Sequence, residues 1–167
     1  MPPQYATEDP LSSTSKAPTA TNEHVRKSMQ GNKRRDTKPE LVVRRMLREM
    51  GYPGYRLDWK NAKGHPDIAY PGRKIAIFVM GCFWHHHEGC KFATTPKQHV
   101  DYWQAKFARN KQRDQEVRDA LRSEGWQIVE IWECELKKDR LEETRSRLQS
   151  EIEYAFIEFP ETEDAEL

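Results

Sequence analysis

Ten consecutive residues, Gly81 to Cys90, read GCFWHHHEGC and hold two cysteines, three histidines and two large aromatic side chains. Thiolates and imidazoles are the preferred donors of a structural zinc ion. A third cysteine, Cys134, follows the apolar run WQIVEIWE, so a strand end can deliver it to the loop. Cys82, His87, Cys90 and Cys134 then form a Cys3His set whose C-x4-H-x2-C spacing suits a closed tetrahedral site. Three buried thiols beside a surface histidine run would be the plainer reading. An odd number of cysteines next to imidazoles favours ligation over a disulfide framework, so zinc is expected.

If His87 is a ligand, His85 or His86 is left to act as a general base, since imidazole titrates near neutrality. Asp67, in GHPDIAY, heads a strand next to the end of KIAIFV. A carboxylate there can hold a divalent cation together with a backbone carbonyl and a phosphate; an aspartate after proline is otherwise a turn residue. Asp114, in ARNKQRDQE, is a second carboxylate, with Asn110 or Arg118 as its ordinary partner one helical turn away. Glu40 leans toward the buried face of its helix, or else closes a capping box on the backbone of Thr37. Phe83, Trp84 and Trp103 can stack on bases or wedge between them, although aromatic rings are more commonly buried.

The elements that must position these side chains follow from pattern. In DTKPELVVRRMLREMG, Thr37 is the N-cap, Pro39 lies in the first turn and Gly51 terminates. Val43, Met46, Leu47 and Met50 define the apolar face. YRLDW, PDIAY and the almost wholly apolar KIAIFV read as three strands, the last of them central. A loop runs from Met80 to about Pro96, a helix covers residues 98–124, WQIVEIW makes a fourth, buried strand, and RLEETRSRLQSEIEYAF a last helix. The order helix, three strands, helix, strand, helix predicts an α/β sandwich with a mixed sheet between helices.

The chain has 167 residues, enough for one core with tails. Residues 1–22, rich in Pro, Ser, Thr and Ala, read as a disordered leader; the domain spans residues 23–157, and residues 158–167 form an acidic tail. The segment HVRKSMQGNKRR, from His24 to Arg35, reads as a short helix or an arm ordered by a partner. A formal charge of +1 hides an uneven distribution: residues 1–22 carry −1, residues 23–140 carry +9 and residues 141–167 carry −7. The basic middle suits a polyanion, or is simply a solvated mixed-charge surface. No secretory signal or membrane span is visible, so a soluble cytoplasmic protein is expected.

GHPDIAY, KIAIFVMGCFWHHHEGC, YWQAKFARNKQRD and GWQIVEIWECEL occur in the order seen in bacterial very short patch repair (Vsr) mismatch endonucleases, and the chain resembles that family from about His24 to Leu136. The resemblance implies a restriction-endonuclease-like fold, structural Zn2+, catalytic Mg2+, and a nick on the 5′ side of the thymine of a T:G mismatch left by deamination of 5-methylcytosine. It implies that Asp67 and the backbone carbonyl of Val79 hold magnesium, that His85 activates the attacking water and that Asp114 orients it. Glu40 resembles a glutamate touching water around the metal. Cys82, His87, Cys90 and Cys134 match the zinc ligands, and Phe83, Trp84 and Trp103 the rings inserted into DNA. Met29 and Lys106 resemble contacts close to the mispaired bases.

The implied partner is mismatched double-stranded DNA, approached by a monomer acting in bacterial cytoplasm, with other mismatch-repair proteins as further partners. Two departures stand out. The zinc loop has one more residue between His87 and Cys90 than the familiar form, and Val79 and Met80 replace a threonine and a histidine. The competing expectations are a zinc-stabilised DNA-binding module without catalysis and a related endonuclease with another DNA target.

Overall fold

In a computed structural model of the chain, residues 17–20, 22–30 and 34–161 are described, apart from the side chains of residues 25 and 28–30. The chain divides into two units, residues 1–32 and 33–167. In the first, the basic segment is helical as α1 (Glu23–Gln30).

The second unit opens with α2 (Lys38–Glu49), whose start is set by chemistry at its first turn. The Thr37 hydroxyl accepts the amide hydrogen of Glu40, and Pro39 occupies a position where no amide donor is needed. Val43, Met46 and Leu47 recur at helical spacing and are buried. Three short strands follow: β1 (Arg56–Leu57), β2 (Ile68–Tyr70) and, after a 3-10 turn at Pro71–Arg73, β3 (Ile75–Met80). The long helix α3 (Val100–Ser123) leads to β4 (Gln127–Trp132), a 3-10 turn at Glu133–Leu136 and α4 (Leu141–Glu158).

The strands form one mixed sheet in the order β1-β2-β3-β4. The first three are antiparallel neighbours, with Ile68 opposite Ile77 and Tyr70 opposite Ile75. β4 runs parallel to β3 in a register from Ile75 opposite Gln127 to Met80 opposite Trp132, so both strands finish level. Three expectations need correction. The first strand contracts from YRLDW to two residues, because Asp58 takes a positive φ of 45° that ends the extended run. Met80, expected in the loop, is the last residue of β3. β4 lies at the sheet edge rather than inside it, with Val129 and Ile131 buried and their neighbours half-buried.

Alternation along the strands divides the core in two. Ile68, Tyr70, Ile75, Ile77, Val129 and Ile131 meet α2 and α4 through Val43, Leu47, Leu148 and Ile152. On the opposite face Ala76, Phe78 and Ile128 meet α3 through Leu121 and Val117. The sheet is therefore covered on both sides by helices. Among the described residues no helix is long and apolar enough to cross a membrane.

The loop between β1 and β2 is held against α3 by a close approach at Gly64. Its φ is +78°, and a β-carbon there would lie 2.5 Å from Cγ1 of Val117. Both the backbone conformation and the missing volume require glycine. Replacing Gly64 by Ala should destabilise the protein by about 1–3 kcal/mol through strain and overpacking. Urea denaturation measures this, and a Gly64→Ala midpoint at or above that of the parent would contradict the packing described.

Candidate functional site

The loop after β3 is wound into successive tight turns. His85 and His87 donate their amide hydrogens to the carbonyls of Gly81 and Cys82 at 3.1 and 2.9 Å, and Cys90 to that of His87 at 3.2 Å. These turns fold Cys82, His87 and Cys90 onto one point, while the level ends of β3 and β4 bring in Cys134 from the 3-10 turn. That turn is itself anchored: the buried Thr144 hydroxyl donates to the Glu135 carbonyl at 2.6 Å, and Arg147 donates to the Glu135 carboxylate at 3.0 Å. The ligand atoms of Cys82, His87, Cys90 and Cys134 all lie within 4.8 Å of one another. His87 Nδ1 is 3.8 Å from Cys82 Sγ and 3.5 Å from Cys134 Sγ. Tetrahedral zinc with Zn–S and Zn–N bonds of ordinary length separates its donors by roughly 3.5–3.8 Å. The cluster therefore fits a single ion of that kind in size and donor chemistry. Burial pushes the Cys82 thiol up to about 12 and raises that of Cys134, so a metal entering here must expel protons.

The three consecutive histidines point to three different partners. His86 has a positive φ of 46°, which turns the chain between its neighbours. Its ring stacks on Phe107 at 4.4 Å, and its Nδ1 is buried without a hydrogen-bond partner. His87 goes to the thiols and lies flat on Trp132 at 3.9 Å. His85 reaches back to α3, where its Nδ1 lies 2.7 Å from Asp114 Oδ2. A carboxylate only accepts, so Nδ1 carries the proton, and in the neutral ring Nε2 keeps a lone pair. The expected helical partners of Asp114 are not its partners here: Arg118 pairs with Glu130 of β4, and Asn110 donates to the Trp84 carbonyl at 2.7 Å. One turn of α3 thus grips two adjacent loop residues, Trp84 by its backbone and His85 by its ring.

Asp67 stands just before β2, where its Oδ2 accepts the amide hydrogen of Val79 at 2.8 Å. Burial raises its carboxyl to about 6, opposed by the Val79 hydrogen bond; the charge of Glu40 adds to the rise, while His85 and Arg44 act against it. Glu40 is buried, at 5% exposure. It does not bond to the Thr37 amide as a capping box would require. One oxygen accepts from the Asp36 amide at 2.9 Å and from Arg44 at 3.1 Å, and the other from the Thr37 hydroxyl at 3.0 Å. Arg44, itself buried, also reaches Asp36 at 2.7 Å. An isolated carboxylate at this depth would be neutral, and the guanidinium offsets that cost.

Phe83, Trp84 and Trp103 form one aromatic group, with Phe83 5.0 Å from Trp84 and 5.3 Å from both Trp103 and Phe107 between ring centroids. Trp84 presents its ring to solvent at 37% exposure, whereas Trp103 is buried at 8%. Lys106 is half-buried on α3, and the side chain of Met29 lies outside the described residues. Arg44, Trp132 and the Glu135–Arg147 pair were not singled out from sequence, and Asn110 only as a neighbour of Asp114. Each matters through a contact distant along the chain or one turn away on a helix, which no local motif marks.

Residues 18–91 match the family model described as DNA mismatch endonuclease Vsr. The type II nicking enzyme V.XorIIP of Xanthomonas oryzae pv. oryzae is 44% identical over 114 residues, covering 68% of this chain and 82% of its own length. The type II nicking enzyme V.NaeI of Lentzea aerocolonigenes is 36% identical over 127 residues, covering 73% and 75%. The DNA mismatch endonuclease Vsr of Escherichia coli is 32% identical over 111 residues, covering 66% and 70%.

The raised Asp67 carboxyl has a consequence for stability. With a folded value near 6 and an unfolded value near 3.9, the metal-free folded state holds the extra proton between those limits. Ionised Asp67 therefore costs stability above pH 6, and the cost disappears as pH falls through 6 toward 4. Without divalent cations, Asp67→Asn should be more stable than the parent by about 2–3 kcal/mol at pH 8, with the gap closing near pH 4. Denaturant titrations at the two pH values test this; a variant less stable at pH 8 would refute it.

Proposed function

The chain belongs to the Vsr family of DNA mismatch endonucleases, and from that membership we propose that it nicks one strand of duplex DNA on the 5′ side of the thymine of a T:G pair. Deamination of 5-methylcytosine produces that pair, so the nick begins a short excision repair. The observation that carries this reading is the division of one loop between a metal cluster, an exposed indole and an imidazole gripped by a carboxylate. The order of α2, three antiparallel strands, α3 and a parallel fourth strand supports a restriction-endonuclease-like fold.

Asp67 and the backbone carbonyl of Val79 are the groups we assign to magnesium. The N–H of Val79 points to Asp67, and in a strand the carbonyl of the same residue leaves on the same side. A carboxylate and one carbonyl leave the remaining positions to water and phosphate, which suits this cation. Magnesium bound there supplies charge neutralisation at the scissile phosphate. His85 Nε2 takes the proton of an in-line water, and Asp114 holds the tautomer and stabilises the imidazolium that results. Glu40, with its carboxylate fixed by Asp36, Thr37 and Arg44, keeps lone pairs for solvent around the site. Cys82, His87, Cys90 and Cys134 hold zinc, which stiffens the loop. Phe83, Trp84 and Trp103 act as the wedge beside the mismatch, and Met29 and Lys106 lie close to the bases. Trp84 is the exposed member, so opening of Trp103 from its cluster accompanies DNA entry in this scheme. The reading implies a monomer acting on DNA in bacterial cytoplasm alongside other repair proteins.

End-labelled duplexes with and without one T:G pair, incubated with magnesium and resolved under denaturing conditions, test the assignment. One cut is expected, 5′ of the mispaired thymine, with the opposite strand whole. Cleavage of fully matched duplexes on both strands would identify an endonuclease with another target, and magnesium-independent binding without scission a non-catalytic module. Asp67→Ala should abolish the nick and leave binding of the mismatched duplex within a few-fold, and His85→Ala should lower kcat by about 10²–10⁴-fold. Nicking by Asp67→Ala at the parental rate would remove Asp67 from the magnesium site.

The metal cluster has its own test. Purified protein should contain one zinc per chain by atomic emission, and Cys134→Ser should contain less and lose it faster to a chelator. Parent protein without zinc after purification in zinc-supplemented medium would overturn the assignment.

A further inference from the structure

Trp132 closes β4 directly opposite Met80, the residue from which the site loop departs. Its backbone is fixed: its N–H donates to Glu135 Oε2 at 2.9 Å, and Arg147 holds that same oxygen at 3.0 Å. Two of the three loop histidines rest on its indole. His87 lies parallel to it, 3.9 Å away with 3° between planes, and His85 meets it edge to face at 6.4 Å and 77°.

The hydrogen bond to Asp114 sets where His85 Nδ1 sits, but one bond leaves the ring free to swing about its own direction. Nε2 lies off that axis, so a swing carries the reactive lone pair away from its target. A flat neighbour along the ring edge removes this freedom. The indole is itself pressed by the imidazole of His87, whose place is set by the thiols. A displacement of His87 therefore moves the wall on which His85 leans.

We propose that Trp132 is a positioning residue for strand nicking: its indole, wedged between His87 of the metal cluster and His85, aims Nε2 and makes that aim depend on whether the cluster is filled. The proposal rests on the reading of His85 as the general base.

The test compares parent, Trp132→Phe and Trp132→Leu, each confirmed at one zinc per chain, on the T:G duplex with magnesium. A smaller flat ring keeps part of the wall and an aliphatic chain keeps none. The expected order of kcat is parent, then Phe at about 10-fold lower, then Leu at about 10²-fold lower, with KM within twofold. The ring resonance of His85 in selectively labelled protein should broaden in the same order. A purely structural tryptophan would lower melting temperature without this split between kcat and KM at temperatures far below melting. Equal kcat in zinc-loaded variants overturns the proposal. If Leu does not load zinc, the Phe variant alone decides, by the same two readouts. His85→Ala is the control: if it nicks at the parental rate, the reading of His85 fails, whereas equal Trp132 variants beside an inactive His85→Ala sink only the role of Trp132.

Discussion

Four donor atoms within 4.8 Å of one another stay together either with thiols protonated or with a positive ion among them, since bare thiolates would repel. This constraint governs the molecule beyond its core, because three of the donors come from the loop after β3 and the fourth from the turn after β4, whose end is level with that of β3. A closed Cys3His centre with a divalent ion carries a net charge of −1, and the guanidinium of Arg140 stands 4.0 Å from Cys134 Sγ to meet it. An ion bound there would add folding free energy to a loop already tied down by its own turns and by Asn110, Asp114 and Phe107 of α3.

A second electrostatic problem is solved differently on the opposite side of the site. Asp67 is removed from water, and burial is the main reason its carboxyl titrates high; the charge of Glu40 adds to the rise. Arg44 compensates Glu40 from within the same helix, and Asp67 is left as the group with the displaced titration. A helix placing a carboxylate and a guanidinium four residues apart on its buried face thus holds one of the two charges by pairing it.

Much of the scaffold was legible. Thr37, Pro39 and the spacing of Val43, Met46 and Leu47 define α2, and KIAIFV announces a central strand, because these signals are local and periodic. The cysteine pattern led to the convergence of Cys82, His87, Cys90 and Cys134 for a different reason: few other arrangements use such residues at such spacing. Residue type and spacing alone left His85 and His86 open, and only the family resemblance pointed to His85, since which of them faces α3 depends on one positive φ at His86. The contact of Asp114 with His85 was expected from the family resemblance alone; spacing offered only its helical neighbours, because a loop folding back across 29 positions leaves no local signal. Asp58 shortened β1 by the same kind of unsignalled backbone reversal.

α3 has 24 residues and so runs for roughly 36 Å, whereas the six residues of β4 span roughly 20 Å. The helix overhangs the sheet like a cantilever. Its buried side chains split accordingly: Leu121 is rooted in the core, Trp103 and Phe107 prop the loop, and the thirteen residues between Phe107 and Leu121 contain none that is fully buried. What ties that span down is polar rather than apolar: Asn110 and Asp114 hold the loop, and Arg118 holds Glu130 of β4. The middle of the helix is thus a beam fastened by charge and hydrogen bonds, so its hold on the loop depends on the solvent around it in a way that the rooted end does not.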